Sequence, residues 1–171
     1  NGIDKTGDLL SKNNLFYCFE KYNNSMDIIT GDGGFDFSLD FNKQEEFSTY
    51  LIFAQIAFAI AMQKEKGCFI LKMFDLFTEN SIQVIYLLSC FYKQIYISKP
   101  NTSRRANSEK YIVCKYFKYK NTTDISVKLI NIIKILETFD FSKYKIVSIL
   151  DLPIQNAFKT SIMEINSFLG N

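Results

Sequence analysis

Three charged residues stand where charge is unexpected. Asp32 follows the apolar run "IITG" and precedes Gly33 and Gly34. Lys72 interrupts "CFILKMF", and Glu109 precedes "KYIVCKYF" at the exit of a basic segment. An unpaired ammonium in an apolar strand is costly, so it either loses its proton or finds an acid. Both outcomes are useful to an enzyme. Each residue also has an ordinary reading. Asp-Gly is common turn chemistry, and a lysine stem can run past apolar neighbours to reach solvent.

Other catalytic chemistries are excluded by composition. The chain has no histidine, which removes Ser-His-Asp and Cys-His nucleophile systems and every His-containing metal site. Its four cysteines, Cys18, Cys68, Cys90 and Cys114, form no C-x-x-C pair, so neither a zinc site nor a thioredoxin-type centre is expected. Unpaired thiols inside apolar runs behave as small hydrophobes and fit a reducing, intracellular compartment, nucleus or cytoplasm.

The three charges need elements to carry them. "LFYCFEKYNN" reads as a short helix and "MDIITGDGGF" as a brief strand ending in a Gly-rich turn. A long helix follows over "NKQEEFSTYLIFAQIAFAIAMQKEKG", with Asn42 and Glu45 resembling a capping box and Gly67 as its stop. "CFILKMF" reads as a strand apolar on both faces, and Thr78 opens a helix over "ENSIQVIYLLSCFY". "QIYISKP" and "YIVCKYF" form a hairpin-like pair. "DISVKLINIIKILETF" sets Leu129, Ile132, Ile133 and Leu136 on one helical stripe. "IVSIL" reads as a short extended piece and "IQNAFKTSIMEINSFL" as an amphipathic helix. The pattern predicts one α/β domain over 1–171. Its sheet is mostly parallel with a final antiparallel strand, and helices lie on both faces. Ligands of open α/β sheets sit beyond the carboxyl ends of the parallel strands. Asp32 and Lys72 occupy those ends, and an antiparallel final strand starts on the same edge, which brings Glu109 there too.

Charge is segregated. Residues 93–120 hold eight Lys or Arg and one acid, while the whole chain carries only +2. Such a patch suggests an anionic partner, with a solvated lysine face as the ordinary alternative. No signal peptide is expected from "NGIDKTGDLL". "FSTYLIFAQIAFAIAM" is too short and too interrupted for a membrane span, which needs ~20 apolar residues.

Beyond the charges, "QEEF", "DGGF", "FILKMFDLFT" and "KPNTSRRANSEKYIVCK" resemble the core of FtsJ-like RNA ribose 2′-O-methyltransferases. The likeness is greatest to the branch acting on the cap-proximal nucleotide of messenger RNA. It extends over residues 1–117 and leaves 118–171 as a helical remainder. In that family a Lys-Asp-Lys-Glu tetrad surrounds the ribose hydroxyl and the methyl group of S-adenosyl-L-methionine. The resemblance implies that Asp32, Lys72 and Glu109 are three of the four, with Asp32 and Asp8 (in "TGDL") at the methyl donor. It implies RNA contacts at Asn42, Lys43, Gln44 and Asn107; the basic charge of Arg104 and Arg105 suggests phosphate contacts. No metal is implied. RNA, in particular capped mRNA, is the implied partner, and no membrane is.

The family's first lysine and its Gly-rich loop after the first strand correspond to positions upstream of Asn1, and no loop of that kind occurs in this sequence. The expectation is therefore a domain incomplete at its N-terminus, binding the donor poorly by itself. An RNA-binding or interaction module that keeps the fold without donor binding is the alternative.

Overall fold

The computed structural model describes residues 2–33, 41–74, 76, 78–101, 109–140, 148 and 153–170; for 41–47 and 170 it describes the backbone alone. The elements run α1 (Lys12–Tyr22), β1 (Met26–Gly31), α2 (Phe41–Met62), β2 (Gln63–Met73), α3 (Glu79–Phe91), β3 (Tyr92–Ser98), β4 (Lys110–Phe117), α4 (Thr123–Thr138) and α5 (Asn156–Gly170). The strands form one sheet in the order β1-β2-β4-β3. β1 and β2 are parallel, and β4 runs antiparallel to both of its neighbours, β2 and β3. The α/β architecture with an antiparallel last strand is as expected. The insertion of that strand between β2 and β3 is an addition.

From Tyr50 to Ala61 α2 is apolar on every side apart from Gln55, and Phe53, Ala54, Ile56, Ala57, Ile60 and Ala61 are all buried. A helix of this kind needs cover on every side. The strands β1 and β2, together with α1, α3 and α4, pack against it. Among the described residues no helix is long and apolar enough to cross a membrane. α3 begins as expected, with Thr78 Oγ1 accepting the Ser81 N–H at 3.2 Å. On α4, Leu129, Ile133 and Leu136 are buried and Ile132 is partly buried, so the predicted stripe faces the core. The "IVSIL" piece lies outside the described residues except for Ser148.

Two expectations need correction. Asn42 does not cap α2, because the helix already includes Phe41. Nor does Gly67 end it: α2 stops at Met62, and Gly67 lies inside β2. The helix ends earlier because the α1–β1 connection supplies donors to its last carbonyls. Ser25 N–H bonds the Met62 carbonyl at 3.1 Å, and Asn23 Nδ2 reaches that of Ala61 at 3.4 Å. The chain then bulges. Met26 is opposite Gln63, but Ile28 is already opposite Cys68. Gln63 Nε2 secures the bulge by donating to the carbonyls of Met26 at 2.8 Å and Asp27 at 3.2 Å. Tyr92 OH donates to Gln63 Oε1 at 3.0 Å from the other side.

β2 also departs from the picture of a strand buried on both faces. Phe69, Leu71 and Met73 are buried, whereas Cys68, Ile70 and Lys72 are half-buried. Lys72 therefore belongs to the less covered face.

Candidate active site

β1 ends at Gly31, so Asp32 is the first residue past its carboxyl end. Lys72 is next to last in β2, and Glu109 immediately precedes β4. Because β4 pairs antiparallel with β2, and Tyr111 is opposite Lys72, the beginning of one strand meets the end of the other. Neighbouring strands lie ~4.8 Å apart, within reach of side chains that share a face. The three charges converge as expected. Lys72 Nζ is 3.1 Å from Asp32 Oδ1 and 3.6 Å from Glu109 Oε2. The other Glu109 oxygen, Oε1, accepts the Tyr111 hydroxyl at 2.8 Å. Lys72 Nζ also sits over the Phe74 ring, 5.9 Å from its centroid.

The Lys72 side chain is 24% exposed, Glu109 is 19% exposed and Asp32 is 68% exposed. The ammonium is thus flanked by one sheltered and one open carboxylate. The Asp32 hydrogen bond holds the Lys72 pKa above its ordinary 10.5; burial opposes this, and the charges of Asp32 and Glu109 reinforce it. Tyr111 is likewise raised above 10.0, chiefly by its bond to Glu109. Lys72 is therefore cationic at neutral pH. Its pKa is higher folded than unfolded, so the cluster stabilises fully below pH 10.5 and loses that contribution as pH rises through the folded value. We expect the Lys72 Nζ resonance to titrate above 10.5 by NMR, and Asp32→Asn to bring its midpoint down. A midpoint below 10.5 in the unsubstituted protein contradicts the pairing.

Of the remaining candidates, Asp8 alone has its side chain among the described residues. Asp8 lies in the loop before α1, where its Oδ1 accepts the Leu10 N–H at 2.8 Å. The loop is tied to the helix by Asn14, whose Nδ2 donates to the Asp8 carbonyl at 3.0 Å. Asn42, Lys43 and Gln44 form the first turn of α2, and their side chains lie outside the described residues, as do Arg104, Arg105 and Asn107 altogether.

Parts of the basic segment have structural employment. Lys110 is 2% exposed and so is no part of a solvated face. Lys118 Nζ donates to the Ser89 and Cys90 carbonyls at 2.8 and 3.2 Å, closing the end of α3. Lys115 lies over the Tyr96 ring, and Lys120 pairs with Glu65 at 3.9 Å.

Two residues of the site escaped the sequence reading. Tyr111 could have been found by strand periodicity, since it shares a face with Glu109 two positions earlier. Gln55 was visible only as a polar break in an apolar run. Its Oε1 accepts the Gly33 N–H at 2.8 Å.

For a methyl donor carrying a sulfonium cation, the described residues offer one fitting feature. That is the open Asp32 carboxylate, opposite in charge and flanked by two glycines. Among the described residues no group of three His, Cys, Asp or Glu side chains could hold a metal ion.

The FtsJ-like methyltransferase family model matches residues 3–117, about two thirds of the chain. The chain belongs to the FtsJ-like methyltransferase family. It is 38% identical over 122 residues to the human cap-specific mRNA (nucleoside-2′-O-)-methyltransferase 1, covering 68% of this chain and 15% of that protein. It is 36% identical over 115 residues to the Drosophila melanogaster cap-specific mRNA (nucleoside-2′-O-)-methyltransferase 2, covering 65% of this chain and 16% of that protein. This FtsJ-like chain thus spans about a sixth of the length of the curated relatives it matches. A solved Plasmodium falciparum chain, described as a ribosomal RNA methyltransferase, aligns with a TM-score of 0.44 at 19% identity, covering 68% of this chain and 59% of that one.

Proposed function

We propose that this chain supplies the acid–amine–acid part of the active centre of an S-adenosylmethionine-dependent RNA 2′-O-ribose methyltransferase, acting on the cap-proximal nucleotide of mRNA. The observation that supports this most is the simultaneous pairing of Lys72 with Asp32 and Glu109, three residues delivered by three different strands. When bound, the donor supplies its methyl group as an already activated sulfonium. What remains for the protein is to orient a ribose hydroxyl and manage its proton. Orientation can contribute ~7–11 kcal/mol.

Lys72 suits the orienting task. Held between two carboxylates it is an ordered hydrogen-bond donor for the 2′-oxygen. It becomes a proton acceptor only when further positive charge offsets the two acids. Glu109 keeps the ammonium from swinging, and Tyr111 fixes which Glu109 oxygen faces it. Asp8 and Asp32 are the donor-side residues of this reading. Asn42, Lys43, Gln44 and Asn107 are its RNA contacts, with Arg104 and Arg105 at phosphates. On this reading the protein works in the nucleus or cytoplasm.

The direct test is methylation of capped RNA by the full-length protein, with the product digested to locate any 2′-O-methyl group. A methylated first transcribed nucleotide is expected. RNA binding without any methylation would instead leave a binding module with a methyltransferase-like fold. A second expectation concerns the loop. Arg104→Glu with Arg105→Glu should weaken RNA binding and flatten the slope of log K against log salt by about 1–2 units. An unaltered slope removes both residues from the interface.

A further inference from the structure

We infer that Gln55, in the middle of α2, is the positioning residue that sets the backbone at Asp32; only its expected effect on activity rests on the methyltransferase reading. A buried amide in an apolar helix is costly unless both of its ends are bonded. Gln55 is 5% exposed, and both ends are. Its Nε2 donates to the Leu51 carbonyl one turn earlier at 3.3 Å, which orients the amide. Its Oε1 is thereby aimed at the backbone just past β1, where it accepts the Gly33 N–H at 2.8 Å.

Both glycines beside Asp32 lean on this amide. A Cβ added at Gly31 would lie 2.9 Å from Gln55 Oε1 and 3.1 Å from Leu71 Cδ1. One added at Gly33 would lie 3.2 Å from Gln55 Cδ. The backbone on either side of Asp32 therefore meets the same side chain from the helix beneath, with Leu71 beside it at Gly31. Asp32 itself is open to solvent on its other side, where its ion-pair partner is Lys72. The place of the carboxylate is set from below, by Gln55, and its charge is answered from the side, by Lys72.

Gln55→Met keeps the length of the side chain and removes both hydrogen bonds; Gln55→Glu keeps an acceptor for Gly33. In the methionine variant the Gly33 amide should exchange with solvent about 10-fold faster. The Lys72 titration midpoint should fall toward 10.5 as its partner drifts. The glutamate variant should restore Gly33 protection. In the unsubstituted protein, a scalar coupling across the hydrogen bond from Gly33 ¹⁵N to Gln55 ¹³Cδ should be detectable, and this reading survives even if the methionine variant does not fold. Absence of that coupling, or unchanged Gly33 exchange and Lys72 midpoint in Gln55→Met, overturns the inference.

None of these readouts involves donor or RNA, so they stand or fall apart from the proposed function. If the protein does methylate RNA, Gln55→Met should lower kcat about 10-fold with the KM for RNA little changed, because the misplaced group acts on the reacting geometry. Equal losses in binding and turnover point to general disruption and count against a positioning role.

Discussion

Lys72→Ala should abolish nearly all methylation of capped RNA by the full-length protein, with a loss of at least about 100-fold in kcat. A positioned proton-transfer group contributes ~10²–10⁴-fold, and an orienting donor acts on the same barrier. The substitution removes the side chain that, among the described residues, pairs with both Asp32 and Glu109, leaving two carboxylates near each other without that shared cation. Like charges brought together in this way favour protonation of one of them. The site would therefore lose its charge pattern as well as its amine. Lys72→Arg should not restore activity, since a planar guanidinium cannot reproduce a compact ammonium and cannot give up its proton. Single-turnover methylation assays decide the matter. Activity within a few-fold of the unsubstituted protein sinks the role given to Lys72.

Gly67→Ala should destabilise the protein by about 3 kcal/mol, at the upper end of what overpacking typically costs. A Cβ there would collide with Gln63 Nε2 and lie 2.8 Å from the Lys64 carbonyl oxygen and 2.9 Å from the Asp27 carbonyl oxygen. Two of these are backbone atoms, which cannot rotate away. Moving Gln63 would also release its bonds to β1 and to Tyr92, deep in the core. The preceding residue, Lys66, already has φ +66, so the bulge has little freedom to readjust. Denaturant unfolding should show a lower midpoint with an unchanged slope. A loss below about 0.5 kcal/mol, the scale of an ordinary surface change, shows that the bulge yields freely.

These two positions mark how far the sequence could be read. Asp32, Lys72 and Glu109 were legible because each departs from its surroundings. Strand direction then carries all three to one edge without any knowledge of side-chain packing. Gly67 was misread because a glycine after a helical run has the same local appearance whether it ends the helix or admits a close neighbour. The neighbours that decide, Gln63 and the Asp27 carbonyl, come from the bulge and from another strand. Lys110 was counted with the solvent-facing cations because it sits among them in the chain, yet the strand turns it inward. Gln55 and Tyr111 act through partners supplied by other segments, so their residue type alone announced nothing.

The placement of β4 has a temporal consequence. β4 follows one of its neighbours, β3, directly in the chain, but its other neighbour, β2, is distant, so the β2–β4 ladder is the long-span contact. Contacts of such long span carry the heaviest loop-closure cost and tend to come late. Glu109 reaches Lys72 only when this last piece is in register, and a slip of one residue would present Lys110 in its stead. With the β2–β4 ladder open, Lys72 and Asp32 would stay at the ends of the paired strands β2 and β1, while Glu109 would be released. On the proposed function, the second acid would join the site only with that ladder, and the fold would act as its own safety catch.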